Sequence, residues 1–163
     1  MAVSEAGHAA RPADSPSARQ IASLRGASFG ALVMLIVQFA IGIVVNLYVA
    51  VPVADQGGFL RAIGKALTNP PAALASHAGL GLLIVLAALA LVVRALRVGH
   101  TAVAVLSIVG LLAIVSAAVN GVRFVAGGGA NSASVAMALS TAVAMLCYAG
   151  SLFVLGGSRA TGS

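Results

Sequence analysis

Acidic residues are nearly missing from this chain. Glu5, Asp14 and Asp55 are the only three among 163 residues, and none falls inside a long apolar run, so a carboxylate dyad working within the apolar part is excluded. The same shortage removes the intramembrane carboxylate that small proton-coupled exporters use as their exchange group. A Ser-His-Asp arrangement would have to borrow Asp55 from a loop with no nucleophile elbow nearby, and a metal site of His and carboxylate has too few ligands. Cysteine occurs once, as Cys147, which excludes an intramolecular disulfide and any Cys-rich metal site and leaves the residue as a small buried hydrophobe. Charged residues amount to 7% against a hydrophobic fraction of 61%, and the mean hydropathy is +1.11. A water-soluble fold would lack the polar surface to cover so much apolar mass.

What is present instead is four long apolar blocks, Phe29 to Ala50, Ala78 to Val93, Thr101 to Ala126 and Ser134 to Leu155. A helix needs about 20 mostly apolar residues to cross a hydrocarbon core of about 30 Å. Lipid offers no partners to backbone N–H and C=O groups, so each crossing segment must be a helix or part of a closed barrel, and unbroken runs without polar alternation select the helix. The expected fold is an all-α membrane protein, an antiparallel four-helix transmembrane bundle, with spans over about 27–50, 71–97, 101–125 and 133–155.

The net charge of +6 is informative through its placement. Arg11, Arg19 and Arg25 precede the first span, Arg94 and Arg97 end the second, and Arg159 follows the fourth, while Arg61, Lys65 and Arg123 fall on the other side. Six basic residues against three put both termini in the cytoplasm by the positive-inside rule. The positive excess then reads as an orientation signal with anionic-lipid contact, and no basic stripe interleaved with aromatics calls for nucleic acid.

Residues 1–26, rich in Ala, Ser, Arg and Pro, are expected to be a disordered cytoplasmic tail, and residues 157–163 a second one. The apolar run from Phe29 exceeds a signal-peptide core of about 7–15 residues and reads as a retained anchor, while Glu5 and Asp14 count against a transit peptide. In the first outer loop Phe59, Ile63 and Leu67 recur every fourth residue with Arg61 and Lys65 opposite, the pattern of a short interfacial helix. Asn69, Pro70 and Pro71 stop it, and a proline at the first helical position starts the second span. Arg94, Arg97, Gly99 and His100 mark a tight turn that makes spans two and three neighbours. Three glycines after Arg123 read as a flexible turn and not as a phosphate loop.

Polar groups inside a span are costly unless paired, so the few present are the candidate functional residues. Gly30, Met34, Gln38, Gly42 and Asn46 are spaced by four on one face of the first span, where small residues admit a neighbouring helix and Gln and Asn can hydrogen-bond across the interface. His77 lies about 9 Å of helix rise after Pro71, with Gly81 one turn below it. Antiparallel threading brings Asn46, His77, Asn120 and Ser140 to one depth in the outer half of the membrane, with Arg123 above them. A single His there could hold haem b, bind a quinone carbonyl, or simply pair with a backbone carbonyl or an Asn. Haem within one chain would need a Met such as Met137 or an open sixth site, or else a His from a second copy.

The stretches QFAIGIVVNLYVAVP, SHAGLGLL and VNGVRF resemble a group of small bacterial four-helix integral membrane proteins with no assigned activity. The likeness runs from Leu32 to Phe153, with Gln38, Asn46, His77, Asn120 and Gly121 as matching positions. It implies a bacterial inner-membrane location and transfers no residue role. A His near the outer end of a helix is also similar to one half of haem A synthase, a family with ligand histidines on two helices of a unit; here the fourth span has none. Three readings stay open. One is a non-catalytic accessory or assembly subunit or homo-oligomer, whose partners are the bilayer and other membrane subunits or itself. The others are a haem- or quinone-binding redox protein using His77, and an oligomeric pore or small-solute carrier lined by Gln38 and Asn46. Membrane-impermeant reagents should label either terminus only from the cytoplasmic side, and labelling of one terminus from outside intact cells would overturn the proposed alignment of polar residues.

Overall fold

The computed structural model describes residues 17–48 and 72–157, and the amphipathic stretch around Phe59 to Leu67 lies outside them. Four helices account for nearly all described residues: α1 (Ala18–Tyr48), α2 (Ala72–Val98), α3 (Thr101–Ala126) and α4 (Asn131–Gly157). Each is long and apolar enough to cross a membrane. They match the four expected spans to within one or two residues except at the start of α1.

The first helix begins nine residues before the expected boundary at residue 27, which corrects the expected disordered tail for residues 18–26. Ser17 and Gln20 form a capping box there. The Ser17 N–H donates to Gln20 Oε1 at 2.8 Å, and the Gln20 N–H donates to Ser17 Oγ at 3.3 Å, so two otherwise orphaned donors are satisfied reciprocally. Once a span has paid for nucleation, each further turn of Ala, Arg, Gln and Leu adds a hydrogen bond at little cost. At 31 residues α1 is about 46 Å long, more than a hydrocarbon core requires; its exposed Arg19 and Arg25 lie on the extra turns.

Both described helix connections close by the same device. Gly99, at φ +74°, follows the end of α2; its N–H donates to Leu96 O, and His100 N–H donates to Ala95 O. After α3, Gly128 at φ +62° donates to Val125 O and Gly129 donates to Phe124 O. Each is a Schellman ending, in which a left-handed residue lets the chain turn back to satisfy the last carbonyls, and glycine adopts that conformation without a Cβ penalty. The run Gly127–Gly129 is therefore an ordered helix stop.

The helices pack as a ring in the order α1, α2, α3, α4, with α4 returning to α1, and no diagonal pair of described helices approaches at backbone distance. The closest pair is α3 with α4. Small residues make this possible: Ala104, Ser107 and Gly110 on α3 and Ala144 and Ser151 on α4 are all buried. Tyr148 is fully buried, and a Cβ placed on Gly110 would stand 3.1 Å from its ring Cζ and 3.2 Å from its hydroxyl. The missing side chain is thus the socket for the tyrosine ring. The outward faces are the reverse of a soluble protein, with Phe153 84%, Leu146 72% and Leu112 64% exposed. Hydrocarbon around the bundle is the environment in which such a surface is favourable.

Two glycines separate packing from propensity. Gly110→Ala should destabilise the bundle by about 1–3 kcal/mol, because a rigid buried ring must move, and Tyr148→Leu in the same chain should recover part of the loss. Gly30→Ala, with nothing within 4 Å of the new methyl, should be neutral or stabilising by up to about 1 kcal/mol through helix propensity. Thermal or denaturant unfolding in detergent checks both, and equal effects would refute the socket.

Candidate functional site

Gln38 of α1 and His77 of α2 face each other across a helix interface that two glycines hold open. A Cβ on Gly42 would come within 3.0 Å of the imidazole Cε1, and one on Gly81 within 3.1 Å of the Gln38 amide nitrogen. Each helix thus offers a glycine to receive the polar side chain of the other. With alanine at either position the long polar side chain opposite would have to retreat.

The hydrogen bonds fix the chemistry of the pair. Gln38 Nε2 donates to the backbone carbonyl of His77 at 2.9 Å and lies 3.3 Å from His77 Nε2. A carbonyl can only accept, so the amide nitrogen is anchored on that side of Gln38, and His77 Nε2 must be the unprotonated, accepting nitrogen of a neutral ring. The ring proton then sits on Nδ1. Both His77 Nδ1 and Gln38 Oε1 are buried and have no hydrogen-bond partner among the described residues. One donor and one acceptor are left over, in a setting where each unanswered polar group is costly.

Beside this pair lies a partly open cavity of about 570 Å³ lined by residues of all four helices. Leu35, Phe39, Leu74, Ile84, Ile114 and Phe124 give it an apolar wall, and Ala117, Gly121 and Ala138 supply the small residues that leave the space. Among the described residues no Asp, Glu, Lys or Arg lines it. Its size falls within the range of small-molecule sites, about 300–1,000 Å³.

The six residues singled out in the sequence divide here. Gln38, Asn46 and His77 line the cavity. Asn46 Oδ1 accepts from Ser134 Oγ at 3.2 Å, tying α1 to α4. Asn120 instead donates through Nδ2 to Ser116 O of its own helix at 2.9 Å, and Ser140 Oγ lies 3.1 Å from Ser116 Oγ, a link between α3 and α4. Neither lines the cavity, and Arg123 is exposed and apart from it. The helical turn of about 100° per residue accounts for the split: Ala117 and Gly121, four apart, face the cavity, which swings Asn120 away. The partner of His77 proves to be Gln38 and not Asn46. Ser134 was not singled out beforehand, although a Ser at the start of a span at the depth of Asn46 was a readable signal.

A haem does not fit this donor set. The His77 Nε2 is engaged by Gln38 and the imidazole edge carrying Cε1 and Nδ1 packs against Gly42. Met137 Sδ packs 3.4 Å from where a Cβ of Gly121 would stand. Among the described residues no three His, Cys, Asp or Glu side chains cluster as metal ligands would.

The tautomer is directly measurable. Nitrogen-15 spectra of the protein in lipid should show His77 protonated on Nδ1 with Nε2 bare, and Gln38→Leu should release the ring to the Nε2–H form that free imidazole prefers. An Nε2–H ring in the unmodified protein would contradict the Gln38 pairing. No family model, curated protein or solved structure matches this chain, so its functional reading rests on the cavity and its polar pair.

Proposed function

We propose that this multi-pass membrane protein binds a lipophilic small molecule in the four-helix cavity beside Gln38 and His77, as a binding protein and not as a catalyst. The carrying observation is a cavity whose lining, drawn from all four helices, is mostly apolar and, among the described residues, uncharged, with Gln38, Asn46 and His77 among the polar side chains at its wall. Ligand sites are built this way, with apolar bulk supplying affinity and a few placed polar groups supplying orientation. Of the open readings, this one keeps the quinone-like ligand class and sets haem aside. The packing of Leu24, Leu91, Tyr148 and Leu155, all fully buried elsewhere in the bundle, gives no support to a water-filled path through a single copy.

In this reading the helices thread antiparallel in the cytoplasmic membrane of a bacterium, with both termini inside, so that the cavity lies in the outer half of the bilayer. The charge distribution supports that orientation. An amphipathic segment around Phe59 to Leu67 would lie in the outer interface near the same end. Association with other membrane subunits is compatible with such a role, the bound lipophile being received from or passed to a partner.

A dodecane bearing a mid-chain diazirine, added to the protein in lipid nanodiscs and photolysed, should label peptides from the cavity walls of several helices. Ala117→Phe combined with Ala138→Phe, which fills the space without touching Gln38 or His77, should abolish that labelling and leave labelling of the lipid-facing surface intact. Labelling confined to the outer surface in both proteins would refute the binding site.

A further inference from the structure

Resting on the lipophile-binding reading, we infer that the cavity is loaded sideways from the bilayer, through the seam between α2 and α3, so that its ligand is a molecule resident in the hydrocarbon. From the turn at Gly99 outward, each turn of α2 and of α3 buries a side chain or a glycine as far as Ile84 and Ile114, which lie the same number of residues before and after that glycine. Beyond them no residue of either helix is buried until Leu74 and Phe124, which are again matched in their distance from Gly99. Because both helices leave one tight turn, the two unburied stretches coincide in depth, and each covers about 15 Å at a rise of about 1.5 Å per residue. This is the level of the cavity. Ala78 and Leu82 on α2, and Ala118 and Val122 on α3, line it, each pair four apart and so on one face of its helix. Leu82 is 62% exposed as well, so the cavity wall and the lipid-facing surface meet in one side chain. Ala78 and Ala118 leave space beside it for an alkyl chain to pass.

The other three seams are fastened at this level. Gln38 and His77 join α1 to α2, Ser116 and Ser140 join α3 to α4, and Ser134 and Asn46 join α4 to α1. Among the described residues no side-chain hydrogen bond joins α2 to α3. Helices in lipid are held together by close packing and by hydrogen bonds. Over this stretch the α2–α3 seam has neither a buried side chain nor a bond, so it is the seam that parts at least cost. The α1–α4 seam also brings exposed lining residues to the surface, Ile43 and Val135, but the bond between Asn46 and Ser134 spans it. A ligand entering between α2 and α3 exchanges one apolar environment for another and meets no water on the way.

Closing the seam tests the route separately from the cavity. Ala78→Cys with Val122→Cys, in a chain whose own Cys147 is replaced by alanine, puts one thiol on each side of the mouth. A short bis-methanethiosulfonate bridge between them, confirmed by mass spectrometry, should cut cavity labelling to the level of the Ala117→Phe, Ala138→Phe protein when the diazirine-dodecane probe is added to the nanodiscs and photolysed at once. A thiol reductant, which cleaves the bridge, should restore the labelling. Capping the two thiols singly with methyl methanethiosulfonate should leave labelling in place, as should a bridge across the α1–α4 seam between Ile43→Cys and Ala138→Cys. Undiminished labelling with the α2–α3 bridge closed, or an equal loss with the caps or with the α1–α4 bridge, overturns the route and leaves the cavity reading standing. If no cavity residue is labelled in the unmodified protein, the cavity reading fails and the route falls with it.

Discussion

Close approach of helices is the constraint on which this structure depends. In hydrocarbon the exposed leucines and phenylalanines gain nothing by leaving lipid for protein, so helices are held by dispersion contacts and a few hydrogen bonds. Both demand short distances, and short distances demand small residues. The pattern recurs along the bundle: Gly110 receives Tyr148, Gly42 receives His77 and Gly81 receives Gln38. In each case the absent Cβ decides which large side chain can be there. The polar site is built by the rule that builds the core.

Buried hydroxyl groups away from Gln38 and His77 divide: Ser28, Ser107 and Tyr148 have no hydrogen-bond partner among the described residues, whereas others satisfy themselves. Thr141 Oγ1 donates to Met137 O and Ser151 Oγ to Cys147 O, each one turn back on its own helix, so these side chains satisfy themselves without a partner helix. Gln38 and His77 do otherwise. Their longer side chains cross between helices, and after pairing they still have an acceptor and a donor to spare. Their place at the wall of the cavity is what gives the Gln38–His77 pair a functional reading.

The sequence made the spans legible because length and apolarity are one-dimensional properties: the ends of α2, α3 and α4 lie where composition changes. The start of α1 was hidden because it depends on a local capping box and not on hydrophobic periodicity, and Ser17 and Gln20 sit in a stretch whose composition resembles a tail. The face carrying Gln38, Gly42 and Asn46 was legible from spacing by four. The rotational setting of α3 was not, since Asn120 and Gly121 are neighbours in sequence and differ by a third of a turn in space; only the packing of α3 against α4 decides which of them looks inward. Depth could be counted along each helix, while azimuth required the neighbours.

The volume of the cavity bears on what it is for. In well-packed protein cores, removing buried side chains costs about 24 cal/mol for each Å³ of space left behind. The same loss of contacts applies to the walls of a partly open cavity of about 570 Å³, so a bundle whose cohesion comes from contact gains when that space is filled. Water is a poor candidate against an apolar wall, because it needs two to four polar partners for each molecule. A molecule with an apolar body, drawn from the bilayer, restores the dispersion contacts and matches a wall that is apolar and uncharged among the described residues.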